Sequence, residues 1–389
     1  MADMAKRVAG FGTTIFSEMN TLAAQYNAVN LGQGKPDFDG PLEVIRAATE
    51  ALNDGSFNQY APGLGIPPLR EAIATHESHF YGVNLDPDRE VIVTVGATEA
   101  VFATILGLVD PGDEVIVFEP FYDSYVPNIL MAGAIPRYCP LRPPTWQFDR
   151  DELRDLFNER TRAIIINTPH NPTGKIYTHE ELVFIADLCH EFDVLAITDE
   201  VYEHLTFDGL HPTNILKLDG MFERSVKISS IGKTFSVTGW KIGWIVGAAP
   251  LVAGAQRARQ FMSFAVAHPL QVGAAYALKS PSTYYEDLMS SFEIKRNRLV
   301  NVLNRVGLQA ATPQGGYFVM ADFSAIYEGD DVAFAKWLTQ EIGVTCIPPT
   351  FFYSDANKHI VAKQARFAFC KSDAMLDAAE EKLAYLKHN

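Results

Sequence analysis

A chain of 389 residues with 48% hydrophobic and 20% charged side chains is too long for one small core, so two domains with large interiors are the starting expectation. A formal net charge of −15 argues against nucleic acid or an anionic membrane as the main partner. Four cysteines, Cys139, Cys189, Cys346 and Cys370, are scattered without paired or metal-ligand spacing, which points to reduced thiols in a cytoplasmic protein and to no metal centre.

Lys6 and Arg7 precede a stretch, Val8 to Phe16, broken by two glycines and two threonines, so no signal peptide is expected. Residues 1–40 show no strong periodicity before the loop Leu31-Gly32-Gln33-Gly34-Lys35-Pro36. A helical pattern runs from Pro41 to Asn53 and stops at Gly55; a second loop, Asn58 to Gly65, leads to a helix near Pro68. Then an α/β rhythm begins. Val91–Val95, Glu114–Phe118, Ala163–Asn167, Val194–Thr198 and Val226–Ser229 read as buried strands, with helices over Ala97–Leu108 and Glu180–His190. Short continuous apolar strands alternating with helices predict a mostly parallel sheet covered on both faces. After about Ser280 the rhythm changes to helices over Glu293–Val306, Val332–Glu341 and Asp373–Leu386, with strands over Gly316–Ala321 and Arg366–Cys370. The expected division is therefore a large α/β domain over 41–280 and a small α+β domain over 281–389, with segment 1–40 packing on the latter.

Ligand sites in such sheets gather beyond the carboxyl ends of the strands. The segment Ser229 to Trp244 follows one of those ends and places Lys233 among small, hydroxyl-bearing and glycine residues. A lysine in a dry, crowded place has its ammonium form disfavoured and becomes an amine nucleophile, the requirement for a Schiff base with an aldehyde cofactor. Pyridoxal 5'-phosphate fits that lysine best, and it makes further demands. Its ring nitrogen needs a carboxylate, offered by Asp199 at a strand end, where a helix N-cap is the commoner fate. Its ring hydroxyl needs donors, which Tyr202 and Asn171 supply, although Asn before Pro is also an ordinary turn former. Its phosphate needs an anion site. Gly96-Ala97-Thr98 opens a helix straight after a strand, and Ser230 and Lys241 flank Lys233. Tyr122 offers an aromatic face, with plain core packing as its other reading. Arg366, alternating with Phe367 and Phe369, offers a guanidinium for a substrate α-carboxylate, against a structural ion pair. The whole ordered set decides the case, because each separate alternative would have to hold at once.

With those residues in place the chain resembles the fold-type I, class I/II pyridoxal-phosphate aminotransferases over nearly its whole length. The motifs are Asn167 to Gly174, Thr198 to Tyr202, Ser230 to Lys233, Thr238 to Gly243, and Arg366-Phe367. Gly12 to Phe16, Leu31 to Gly34, Asn58-Gln59-Tyr60 and Glu119 to Tyr125 narrow the resemblance. They point to the branch holding methionine, glutamine-phenylpyruvate and kynurenine aminotransferases and some succinyldiaminopimelate aminotransferases.

The resemblance implies that Lys233 is the Schiff-base lysine and the general base, that Asp199 pairs with the ring nitrogen, and that Asn171 and Tyr202 hold the ring oxygen. Ala97, Thr98, Ser230 and Lys241 would hold the phosphate, Tyr122 would stack on the ring, and Arg366 with Gly34 and Asn171 would bind the substrate carboxylate. Tyr60 would reach the phosphate of a neighbouring subunit, which implies a homodimer with shared sites. Tyr317 is a candidate pocket-lining residue, with an ordinary strand position as its alternative. Two departures stand out. Lys35 occupies a place where the narrower branch has a bulky apolar residue, which puts a cation near the expected pocket mouth and makes Lys35 a candidate substrate-binding residue for an acidic or polar distal group. His268 falls in the stretch that a partner subunit would lend. The expected activity is ping-pong transfer of an amino group from an L-amino acid to a 2-oxo acid. Succinyldiaminopimelate amination and β-elimination from cysteine conjugates are the alternatives. A regulator built on the same fold would need a basic arm or helix-turn-helix extension, and neither precedes residue 30.

Overall fold

The computed structural model describes residues 4–387. Its centre is a seven-stranded sheet, in the spatial order 91–95, 242–247, 225–230, 195–199, 161–167, 114–119 and 135–140. Strand Ile242–Gly247 runs antiparallel to both neighbours, and the remaining pairings are parallel. Every residue of Glu114–Glu119, Leu195–Asp199, Ser225–Ser230 and Ile242–Gly247 is buried, as helices on both faces require. Helix Gly96–Leu108 lies on one face against helix Ala249–Arg259. The two backbones approach so closely that a Cβ at Gly107 would stand 2.4 Å from the carbonyl oxygen of Gly254. On the other face, helices Leu42–Asp54 and Pro67–Tyr81 pack with His268–Ala277.

Local chemistry sets the boundaries. Helix Leu42–Asp54 ends at Gly55, which takes the left-handed conformation with φ 82°. Helix His179–Glu191 begins with a capping box, in which the Thr178 side chain accepts from the Glu181 N–H and Glu181 reaches back to the Thr178 N–H.

The C-terminal part builds a three-stranded antiparallel sheet from Gln309–Ala310, Phe318–Asp322 and Gln364–Ala368. Helices Ser282–Arg305, Asp331–Trp337 and Asp373–Leu383 accompany it. Helix Ile15–Gln25 buries Ile15, Met19 and Ala23, of which Ile15 and Met19 enter the same core as Phe292, Leu303, Phe334 and Phe367. Strand Val29–Asn30 pairs in parallel with Val344–Thr345. No helix among the described residues is long and apolar enough to cross a membrane.

Several elements differ from the sequence expectation. Ile15–Gln25 is a helix whose inward residues recur only every fourth position, so too few apolar side chains mark it. Strand Ile242–Gly247 hides behind two glycines, yet it closes the sheet between 91–95 and 225–230. The helix expected from Glu293 begins earlier, at Ser282. The helix expected over Val332–Glu341 changes to a π turn at Leu338.

Candidate active site

Three parallel strands end level with one another. Register pairs Asn167 with Asp199, and Asp199 with Ile228, so the residues that follow Asn167, Asp199 and Ser230 open onto one crevice. Strand Ser225–Ser230 passes directly into a helical turn, Ile231–Thr234, which presents Lys233 to a cavity of about 240 Å³. The side chain of Asn167 stitches the neighbouring ends together. Its Nδ2 donates to the Asp199 carbonyl at 2.8 Å and its Oδ1 accepts from the Asn171 N–H at 2.7 Å.

The Lys233 amine donates to the Tyr317 hydroxyl at 2.8 Å and stands 5.7 Å from the Tyr202 ring. Burial pulls its pKa down from the usual lysine value to about 8. The charges of Lys241 and Arg366 push the same way, while Cys370 and Asp199 oppose it. The amine is therefore available as a nucleophile and base near neutral pH.

Asp199 lies deep in the crevice. Its Oδ2 accepts from the Tyr125 hydroxyl at 2.7 Å and its Oδ1 from the Val201 N–H at 3.3 Å. Burial nevertheless raises its carboxyl above the ordinary range, because both donors are neutral. A cationic group placed against it would restore the charged form.

An anion seat lies at one end. Helix Gly96–Leu108 begins at the wall, and Gly96 adopts φ 70°; a Cβ there would come within 3.0 Å of Lys241 Cε and 3.1 Å of its Nζ. Lys241 Nζ donates to Thr98 Oγ1 at 3.3 Å, and Ser230 lines the same end. Free backbone N–H groups, a helix dipole, a hydroxyl and an ammonium converge there.

Arg366 forms a second seat for an anion. Its Nη1 donates to Asn171 Oδ1 at 3.1 Å, its Nη2 to the Gly32 carbonyl at 2.8 Å, and its buried Nε has no partner. The guanidinium carbon sits 4.1 Å from the Phe318 ring, 5.1 Å from Phe16 and 5.3 Å from Phe352. Burial lowers its pKa to about 10. A planar cation held by neutral acceptors between aromatic faces is built to take a carboxylate.

Residues 26–383 match the family model for aminotransferase class I and II. The chain belongs to the class I and II aminotransferases. It is 43% identical to mouse kynurenine–oxoglutarate transaminase 3, over 97% of this chain and 89% of that protein. The solved N-succinyldiaminopimelate aminotransferase of Mycobacterium tuberculosis superposes with a TM-score of 0.95 at 44% identity, over 99% of this chain and all of that one. An Escherichia coli structure with a methionine aminotransferase function superposes with a TM-score of 0.95 at 40% identity, over 99% of this chain and all of that one.

The aminotransferase cavity gathers Gly34, Ala97, Thr98, Tyr122, Asn171, Asp199, Tyr202, Ser230, Lys233, Lys241 and Arg366 on one wall or another. Three expected residues lie elsewhere. Lys35 is exposed, and what it gives the neighbourhood is its carbonyl, which accepts from Lys371 Nζ at 2.7 Å. Tyr60 is 82% exposed, edge-on to Phe264 at 5.3 Å. Tyr317 is wholly buried behind the wall, its hydroxyl between Lys233 and the Gly34 carbonyl, instead of lining the cavity. His268 opens helix His268–Ala277, with Nδ1 3.2 Å from the Gln59 carbonyl.

The sequence reading of this aminotransferase did not single out Phe16, Tyr125, Asn167 or Phe318. Tyr125 and Asn167 stand inside motifs that were noticed, but their roles depend on which side chain each faces. Phe16 comes from the N-terminal helix and meets Arg366 only after the chain has folded back on itself.

Proposed function

We propose that this aminotransferase uses pyridoxal 5'-phosphate to move the amino group of an L-amino acid to a 2-oxo acid in a ping-pong cycle. The observation that carries this reading is a single cavity with a lysine amine near neutrality between a deep, cation-seeking carboxylate and a buried guanidinium. When bound, the cofactor supplies an aldehyde and an electron-withdrawing ring that acidifies the substrate α-carbon. The donor set fits it: Asp199 for the ring nitrogen, Asn171 Nδ2 and the Tyr202 hydroxyl for the ring oxygen, and Ala97, Thr98, Ser230 and Lys241 for the phosphate. Tyr122 would cover a ring face. Lys233 would hold the cofactor at rest, then take the proton from the substrate α-carbon and return it to the cofactor's former aldehyde carbon, C4'. Arg366 seats the α-carboxylate, with Asn171 and the Gly34 segment beside it, and so aims the α-proton at Lys233.

The side-chain end of the cavity favours neutral donors. Phe16 and Phe318 stand against Arg366 there, and each of the cavity's cations, Lys233, Lys241 and Arg366, already has a task. A distal carboxylate of the succinyldiaminopimelate kind would find no further cation among these lining residues, and Lys35 stands outside them. Methionine, glutamine, aromatic or kynurenine-like donors are the class proposed. The exposed Tyr60, Phe261, Met262 and Phe264 form an apolar patch beside His268, which supports a homodimer with shared sites. The location proposed is cytoplasmic, supported by four free, buried cysteines. The domain division proposed lies near residues 40 and 280.

An absorbance scan of the purified, cofactor-loaded protein tests the reading. A visible band is expected to bleach with methionine or an aromatic amino acid and to return with a 2-oxo acid. Bleaching only by acidic donors would overturn the substrate class, and release of ammonia and pyruvate without amine transfer would favour β-elimination.

A further inference from the structure

We infer that Tyr317 is a positioning residue for Lys233, aiming its amine into the cavity and tying it to the loop that holds Arg366. The inference rests on Lys233 being the reactive lysine. Tyr317 Oη lies 2.8 Å from Lys233 Nζ and 2.6 Å from the Gly34 carbonyl. A carbonyl can only accept, so the one phenolic hydrogen is spent on Gly34. Toward Lys233 the hydroxyl therefore presents a lone pair, and the amine must donate. One N–H is fixed in this way while the nitrogen lone pair stays free to face the cavity. A hydroxyl that donated to the amine would have masked that lone pair, and Gly34 prevents it.

The geometry around the pair is rigid. The Tyr317 ring is wholly buried, with Tyr202 edge-on at 4.9 Å, Phe318 at 4.9 Å and Phe292 at 6.4 Å. Burial holds its phenol well above the usual range, so it remains protonated and does not act as a base. The Gly34 carbonyl reaches the hydroxyl because residue 34 lacks a Cβ, which would stand 2.4 Å from Phe318 Cζ. Two residues earlier, the Gly32 carbonyl takes Arg366 Nη2. Segment 32–34 thus holds the guanidinium with one carbonyl and the lysine's tether with another, which keeps the carboxylate seat and the amine in register. Besides burial, the charged and titratable groups acting on Lys233 are Cys370, Asp199, Lys241 and Arg366; Tyr317→Phe leaves all four in place, so a shift in the amine's titration reports the lost hydroxyl.

Tyr317→Phe removes only the hydroxyl. In the holoenzyme we expect kcat to fall about tenfold while the amino-acid KM stays within about twofold, the mark of a lost orientation. The second readout needs no turnover. In cofactor-free protein, the pH midpoint of Lys233 modification by trinitrobenzenesulfonate, read by peptide mass spectrometry, is expected near 8 in the wild type. It should fall by roughly half a unit in Tyr317→Phe, because an acceptor for N–H favours the charged amine. Phe292→Leu, which disturbs the same packing and keeps the hydroxyl, should leave the midpoint in place. An unchanged midpoint and kcat in Tyr317→Phe, a raised KM alone, or an equal shift in Phe292→Leu would each overturn the inference. Should Tyr317→Phe not fold, 3-fluorotyrosine at position 317, a weaker acceptor, replaces it with the same expected direction of shift. Borohydride trapping of the cofactor on wild-type Lys233, run in parallel, separates the failures. No label there means that Lys233 is not the reactive lysine; a label with an unmoved midpoint removes Tyr317 alone.

Discussion

Two lysines on one continuous strand-and-turn segment are buried by the same sheet, yet they end in opposite states. Lys227, in strand Ser225–Ser230, points away from the cavity into a cage of acids. Its Nζ lies 2.8 Å from both carboxylate oxygens of Glu77, 2.7 Å from Glu203 and 3.7 Å from Glu200, and 3.7 Å over the Tyr81 ring. Burial works against its charge, but the three carboxylates outweigh burial and hold its pKa above the usual lysine value. Lys233 meets burial with Tyr317 as a neutral partner and with Cys370 and the single carboxylate of Asp199 as its opposing help, so its amine falls to about 8. The same desolvation makes a permanent cation at one site and a reactive amine at the other, and the local count of carboxylates decides which.

The cage has a cost of its own. Three carboxylates around one ammonium would leave surplus negative charge in a dry place, and burial raises Glu77 above the usual carboxylate range and Glu200 to about 7. Glu203 is driven the other way, despite burial, by Lys227 and the adjacent histidines. His76 and His204 meet Nε2 to Nε2 at 2.7 Å, so one ring donates to the other. With Glu203 they resemble a metal-ligand set, yet Glu203 is already committed to Lys227 and to the Ser229 hydroxyl.

Substitution separates the two lysines most strongly. Lys233→Ala is expected to lower kcat by roughly 10⁴-fold and to leave the denaturation midpoint of cofactor-free protein unchanged or raised. Lys227→Met should do the reverse. It leaves buried carboxylates without their cation and is expected to destabilise the fold by about 3–5 kcal/mol, measured by chemical denaturation, with the KM of the surviving folded enzyme little changed. If both variants lose the same property, the division of labour is wrong.

A smaller effect lies in pH. The Lys233 amine titrates near 8 when folded and near the usual lysine value when unfolded, so between those values the unfolded chain holds a proton that the folded chain has shed. Stability of cofactor-free protein should therefore rise with pH across that window, relative to Lys233→Met. Lys227 has the opposite sign. Its raised pKa means that its contribution is complete below the usual lysine value and is lost only as pH climbs through the higher folded value. Denaturation series at about pH 7.5 and about pH 10, on wild type and both variants, check this: the Lys233 contribution should appear as a rise, and the Lys227 contribution should not change, because its window opens only above the usual lysine value.

Apolar strands such as Val91–Val95 and the glycine-stopped helix ending at Asp54 were legible because their signals are local. Strand Ile242–Gly247 and helix Ile15–Gln25 were not, since their residues become core only against partners remote in the chain. Lys233, Asp199 and Arg366 were legible as chemistry: each is a charge in an apolar setting that needs a reason. What the sequence could not show was direction. Lys35 follows Gly34 but turns its side chain to solvent, and Tyr317 turns inward to a hydroxyl contact that joins residues 34 and 233. Lys227 went unremarked because its cage is assembled from helix Pro67–Tyr81 and the loop after Asp199.

The most direct measurement is borohydride reduction of protein loaded with pyridoxal 5'-phosphate, followed by digestion and peptide mapping. A pyridoxyl group on the peptide carrying Lys233, with Lys227 and Lys241 unmodified, is the predicted result. A label on another lysine, or no label at all, would contradict the account.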